Sequence, residues 1–174
     1  MTLVDALNSL EEAVAHTEFT GYGPREIPHK LDSLPEAVVD LYLAADSHDK
    51  ELVSCLSAVA AQVLCSFAER LSAVAVRNES AVALKRSLLA LGIAASIETD
   101  ERNVLSVASL PWHSAKLLGI NPSVVFMESA MQLPRPGREF LLAFSRRPPE
   151  SRSIACMGYI EGSDNDGFRY ERTW

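Results

Sequence analysis

Apolar residues recur every three or four positions along most of this chain, and that spacing is typical of amphipathic helices rather than of strands. The first such segment has four apolar residues on one face: Leu3, Leu7, Leu10 and Val14. Thr2 precedes the segment and Asp5 follows three residues later, which is the pattern of a capping box. The sequence therefore predicts a first helix from Thr2 to about His16.

Capping signals divide the following residues into two further helices. Ser33 and Glu36 form a second capping pair, and they open the second predicted helix. A longer helix, from about residue 50 to Ser72, is so rich in alanine, valine and leucine that we predict it to be the most buried helix of the core. Its cysteines, Cys55 and Cys65, are therefore expected to be buried and reduced.

The second half of the chain contains signals for four more helices. Asn78 and Asn121 are predicted N-terminal caps, while Gly92 and Gly119 are suited to the left-handed conformation that ends many helices. Pro111 lies inside one predicted helix and is expected to kink or divide it. The four predicted helices span about residues 78–92, 99–119, 121–131 and 138–147.

Two segments lack helical periodicity. Residues 17–33 contain two glycines and two prolines, and they are predicted to form a long loop. Residues 151–174 include alternating aromatic and charged positions beside a glycine-flanked turn, which predicts a small β-hairpin or an extended tail docked on the helices. Residues 164–167 resemble a calcium-binding loop, but the carboxylates that such a loop needs at its first and last ligand positions are missing. We therefore predict a tight turn there.

The predicted fold is all-α, a single-domain bundle of about seven helices. A chain of 174 residues and 19.0 kDa, with 48% apolar residues, is large enough to bury one core without disulfides or a structural metal. Residues 1–150 are predicted to form the helical body, and residues 151–174 the docked C-terminal tail.

Acidic residues are concentrated in the first third of the chain. Residues 1–51 contain 11 acidic and 3 basic residues, whereas the remainder is nearly balanced and the whole chain has a net charge of -7. Neither nucleic acid nor a membrane is expected as a partner, because both require basic surfaces. The N terminus lacks a basic signal region and no apolar run is expected to span a bilayer, so the predicted location is cytoplasmic.

Short motifs that identify enzymes or cofactor sites are absent from the sequence. The four histidines are scattered, and none lies three or four residues from another histidine or from a cysteine, so we expect no metal and no cofactor. Helical enzymes assemble their sites from residues that are distant in sequence. The question of an enzyme therefore stays open, although the sequence favours a protein without catalytic activity.

Residues 73–132 resemble the second half of a HEAT-type helical repeat. The resemblance rests on Val76-Arg77 and the segment 81–92, with a similar pattern in residues 100–119. It implies stacked helical hairpins that act as a protein-interaction scaffold. The chain also resembles uncharacterised bacterial all-helical proteins whose tail contains Gly-Tyr and Gly-Phe-x-Tyr, here Gly158-Tyr159 and residues 167–170. That second resemblance implies no function.

Concentrated acids without a catalytic motif predict a protein-binding module, such as an immunity or regulatory protein whose partner is basic. The candidate contact residues are three acids and four aromatic residues of the tail: Glu12, Asp40, Asp49, Tyr159, Phe168, Tyr170 and Trp174. Reversal of the three acids to lysine is expected to slow association and to leave the melting temperature nearly unchanged.

Two other functions remain open. The chain could be an enzyme or a small-ligand binder with a pocket between the central helix and the 17–33 loop, because helical bundles host such pockets. A homo-oligomeric subunit is the third alternative, and it would show as a large apolar face exposed on the monomer.

Overall fold

The computed structural model describes residues 2–15, 33–53, 58–97 and 102–146. Within these ranges 86% of the residues are helical, and the eight helices are accompanied by no strand. This confirms the all-α bundle that the apolar spacing predicts. The predicted C-terminal hairpin and the predicted 17–33 loop up to residue 32 lie outside the described residues, whereas Ser33 is the first residue of α2.

The helices follow one another closely in the described ranges. In chain order they are α1 (Leu3–Ala15), α2 (Ser33–Ala44), α3 (Ser47–Leu52), α4 (Ala58–Arg77), α5 (Ala81–Ile97), α6 (Arg102–Leu117), α7 (Pro122–Ala130) and α8 (Gly137–Arg146). The long helix predicted from residue 50 to Ser72 is wrong in its bounds. The structure has the short helix α3 and then α4, which continues five residues beyond Ser72.

The chain forms two compact units. Residues Met1–Leu142 form the first, and Ala143–Trp174 form the second, of which the described part is the last four residues of α8. The predicted division into a body of residues 1–150 and a tail of residues 151–174 therefore stays a prediction.

Helix α5 is the most completely buried element of the first unit. Its residues from Ser87 to Ile97 are all buried, and it packs against α2, α4, α6 and α7. The prediction that the preceding long helix would be the most buried is therefore wrong, since exposed and half-buried residues recur along the whole of α4, whereas those of α5 are confined to its first six residues. Cys65 of α4 is buried as predicted, whereas Cys55 lies outside the described residues.

Two glycines bring α5 and the start of α8 into close contact. A Cβ atom on Gly137 would lie 2.5 Å from the carbonyl oxygen of Gly92, and a Cβ atom on Gly92 would overlap the Leu133 side chain. The predicted role of Gly92 as a C-terminal cap is thus wrong, because α5 continues to Ile97. Gly92 is needed for the close approach of a neighbouring segment, and not to end the helix.

The ends of α4 and α6 have the same backbone arrangement. Beyond α6, Ile120 donates to the carbonyl of Ala115 and Gly119 has a φ of 75°, which forms the predicted left-handed cap. Beyond α4, Ser80 donates in the same way to Ala75, and the left-handed residue is Glu79, with a φ of 50°. A side chain in this conformation is strained where glycine is not.

Local capping side chains fix the starts of several helices. The Asn121 side chain accepts from the backbone of Ser123, which confirms the predicted cap of α7. The predicted cap Asn78 is wrong, because the Ser80 hydroxyl accepts from the backbone of Ala83 and begins α5. Pro111 does not divide α6, which is continuous from Arg102 to Leu117.

Helix α4 is long and apolar enough to cross a membrane by length and composition alone. The window Val59–Arg77 has a mean hydropathy of 1.4, so the expectation that no apolar run reaches that length is wrong. In the bundle, however, 56% of this window is buried against other helices. Core helices of folded bundles meet the same criteria, because burial on several sides selects apolar residues.

We predict that Gly137→Ala destabilises the first unit by about 1–3 kcal/mol, because the added methyl group must displace the backbone of α5. Denaturant unfolding of the two proteins measures the difference. The matched control is Ala73→Gln on the exposed face of α4, which adds atoms only in solvent and keeps a good helix former. The control should change the free energy of unfolding by less than about 0.5 kcal/mol. Equal stability of Gly137→Ala and the control would show that the two helices are not in close contact.

We predict that Glu79→Gly stabilises the fold by up to about 1 kcal/mol, because glycine adopts the left-handed conformation without strain. Glu79→Ala removes the same carboxylate but keeps a Cβ atom, so it separates the backbone effect from the loss of charge. Thermal melts of the three proteins should rank the glycine variant highest. A glycine variant less stable than the alanine variant would contradict the strain argument.

Candidate protein-binding site

Exposed acids lie on all three N-terminal helices. Helix α1 packs against α2 and α3, so the three helices belong to one part of the bundle. The exposed acidic residues of these helices and of the α3 cap are Asp5, Glu12, Glu36, Asp40, Asp46 and Glu51. In the described ranges 2–15 and 33–53 the only lysine or arginine is Lys50. We call these six residues the acidic surface.

The capping box positions the acidic end of α1. The Asp5 backbone donates to the Thr2 hydroxyl, and the Thr2 backbone donates to the Asp5 carboxylate, each over 3.1 Å. Hydrogen bonds from Thr2 lower the pKa of Asp5, so this carboxylate stays ionised in mildly acidic solution. Glu12 lies two turns further along on the same exposed face of α1.

Asp40 is not a purely solvated acid. Its carboxylate lies 3.0 Å from the guanidinium of Arg86 on α5, and the Glu36 carboxylate lies 3.9 Å from the same group. Arg86 also donates to the backbone carbonyl of Glu36 over 3.3 Å. The side chain of Asp40 is still 65% exposed, so a partner can reach it. Part of its charge is nevertheless compensated within the protein.

Asp49 lies in the first turn of α3 and is half-buried. Its backbone N–H donates to the side chain of Asp46, the cap of that helix, over 2.9 Å. Lys50 follows, and its ammonium group lies 5.5 Å from the centre of the Tyr42 ring, within reach of a cation–π interaction. The only lysine among these acids is therefore directed onto an aromatic ring.

Tyr42 connects this part of the bundle to the core. Its side chain is buried, and it lies on α2, which packs against α5. Burial raises the pKa of the Tyr42 hydroxyl, and the nearby Ser96 of α5 opposes this in part. The hydroxyl is therefore neutral at physiological pH. Tyr42 thus connects α2, which carries Glu36 and Asp40 of the acidic surface, to the buried core.

The other predicted contact residues and the predicted pocket cannot be placed together with the acids. Tyr159, Phe168, Tyr170 and Trp174 lie outside the described residues, as does the 17–33 loop up to residue 32. Among the described residues, no group of three or more histidine, cysteine or acidic side chains could bind a metal ion. The exposed carboxylates of the acidic surface are instead suited to binding positive charge over a broad area.

Sequence reasoning missed an apolar feature of α7. Val124, Met127 and Met131 are exposed, while Val125 and Phe126 are buried. Phe126 packs edge-on against Trp112 of α6, with 5.2 Å between the ring centres. Both faces of α7 are apolar, so the sequence pattern could not show which one faces the core. We call Val124, Met127 and Met131 the apolar stripe.

Comparisons with protein-family models, with curated proteins and with solved structures find no match for this chain. The resemblance to HEAT-type repeats therefore stays a prediction.

We predict that Asp40→Asn lowers the free energy of unfolding by about 0.5–1 kcal/mol, because exposed ion pairs contribute little. A double-mutant cycle with Arg86→Gln isolates the pair from other effects of each substitution. Denaturant melts should give a positive coupling energy that decreases in high salt. No coupling at low salt would mean that the two side chains do not interact in solution, and that Asp40 is fully available to a partner.

Proposed function

We propose that this chain is a protein-binding module whose acidic surface contacts a basic protein. The observation that carries the proposal is the exposure of six acids on α1, α2 and α3, where the described residues include one lysine and no arginine. An immunity or regulatory protein that neutralises a basic partner would need such a surface. A cytoplasmic location is part of the proposal.

The physical basis is electrostatic steering. Clustered like charges raise the local concentration of an oppositely charged partner and orient it before contact. The effect needs no catalytic group and no pocket. It does require that most of the acids stay ionised and separated from compensating bases. The interaction of Lys50 with the Tyr42 ring favours this, whereas Arg86 compensates part of the charge of Asp40 and Glu36.

The acids contribute unequally to the proposed contact. Asp5 and Asp46 also cap helices, and Asp40 pairs with Arg86, so their substitution would change stability as well as binding. The expectation that the Glu12, Asp40 and Asp49 triple reversal leaves the melting temperature unchanged must therefore be revised for Asp40. The binding test therefore uses Glu12, an exposed member of the acidic surface, together with Asp49, which is half-buried and lies beside that surface in the first turn of α3.

We predict that Glu12→Lys with Asp49→Lys slows association with a basic partner about three- to tenfold, because surface charges mainly affect the on-rate. The partner is first captured from a cell lysate on the immobilised chain, and association is then measured with the purified pair at several salt concentrations. The wild-type on-rate should decrease as salt shortens the Debye length from about 10 Å at 0.1 M to about 3 Å at 1 M.

The matched control is Glu79→Lys with Glu128→Lys. Both residues are exposed and lie outside the first 51 residues, so the control changes the net charge by the same amount elsewhere. It should slow association less than the Glu12 and Asp49 pair. Equal effects of the two variants, or an on-rate that is indifferent to salt, would contradict binding through the acidic surface.

A further inference from the structure

The guanidinium of Arg86, on α5, contacts one turn of α2. Its Nη1 atom lies 3.0 Å from the Asp40 carboxylate, and its Nε atom lies 3.9 Å from the Glu36 carboxylate. Its Nη2 atom donates to the backbone carbonyl of Glu36 over 3.3 Å. Glu36 and Asp40 are four residues apart, so their side chains are neighbours on one face of α2. One internal cation therefore lies beside two members of the acidic surface.

The packing of α5 holds the Arg86 guanidinium at this contact. Its side chain is only 21% exposed, and the next two residues of the helix, Ser87 and Leu88, are buried. Its Nε atom is buried without a hydrogen-bond partner, so the loss of either carboxylate would leave more of a largely buried charge uncompensated. The side chains of Glu36 and Asp40, by contrast, are 58% and 65% exposed. A partner can reach the two acids from solvent, but it cannot separate them from Arg86 without cost.

We propose that Arg86 makes an autoinhibitory contact, in which it competes with a basic partner for the carboxylates of Glu36 and Asp40. The proposal rests on the proposed function, since it concerns the strength of binding at the acidic surface. A partner's lysine or arginine that approaches these carboxylates also approaches the guanidinium of Arg86, and the two like charges repel. This turn of α2 is therefore a weaker part of the acidic surface than its exposure indicates.

Titration of the full chain with an octa-lysine peptide tests the proposal, in calorimetry at about 20 mM salt, where charges are little screened. Arg86→Gln should bind the peptide about two- to fivefold more tightly than the wild type, the range over which exposed ion pairs change an equilibrium constant. The matched control is Lys85→Gln, which removes the same charge from the neighbouring exposed position. It should increase the affinity less. Equal gains in the two variants would overturn the proposal, because only the net charge would then matter.

The gain in affinity must depend on the two carboxylates that Arg86 contacts. Glu36→Gln with Asp40→Asn should cancel most of the gain when added to the Arg86→Gln protein. In the presence of Arg86 the same two substitutions should weaken peptide binding by less than about twofold, because these charges are already compensated. An arginine with a purely structural role would not couple to them in peptide binding. Equal effects of the two substitutions in both backgrounds would overturn the proposal.

A third comparison keeps Arg86, so it does not depend on the folding of an Arg86 variant. Asp5→Asn with Asp46→Asn removes two other charges of the acidic surface, and asparagine keeps a side-chain oxygen that can cap a helix. This variant should lose more peptide affinity than Glu36→Gln with Asp40→Asn, although each removes two charges. Equal losses would overturn the autoinhibitory contact and leave the proposed function intact. A failure of all these proteins to bind the peptide would contradict both.

Discussion

The contact between α5 and its neighbours is the constraint on which the rest of the first unit depends. Nearly every side chain of α5 beyond its first turn is buried, and the glycine at position 92 lets the segment around Leu133 and Gly137 approach the helix backbone. A buried helix of this kind loses its apolar contacts on all sides at once when it shifts. Its position therefore determines where the surrounding helices can lie.

Helix α2, which carries Glu36 and Asp40 of the acidic surface, and helix α7, which carries the apolar stripe, both pack on α5. Helix α2 contacts it through the core and through the ion pair of Asp40 with Arg86, and α7 contacts it through its buried face. In the proposed function, the acidic surface would attract a basic partner over a distance and would be screened by salt.

The sequence predicts several helix ends well, because the capping interactions at those ends involve residues that are close together in the chain. The capping box of Thr2 and Asp5, the cap at Asn121 and the left-handed Gly119 each satisfy backbone groups within a few positions of themselves. The role of Gly92 cannot be predicted in this way, because a glycine that ends a helix and a glycine that admits a neighbour are identical in sequence. The deciding contact comes from Leu133, 41 residues away.

The site was less predictable than the fold for the same reason. Residue type alone identifies Asp40 as an acid, but its pairing with Arg86 joins residues 46 positions apart. The exposure of Met127 and Met131 likewise depends on which apolar face of α7 meets α6 and α5. The concentration of acids in the first third of the chain can be predicted from the sequence. The compensation of Asp40 by Arg86 and the exposure of the apolar stripe depend on how the helices pack, so they cannot.

Native-state hydrogen exchange tests the central position of α5 most directly. If the fold depends on this helix, the amides from Leu88 to Ala94 exchange only through global unfolding, with an opening free energy equal to that of denaturant unfolding. The amides of α1, at the edge of the bundle, should exchange through smaller openings. Exchange of the α5 amides at the rate of the α1 amides would contradict the claim that α5 organises the fold.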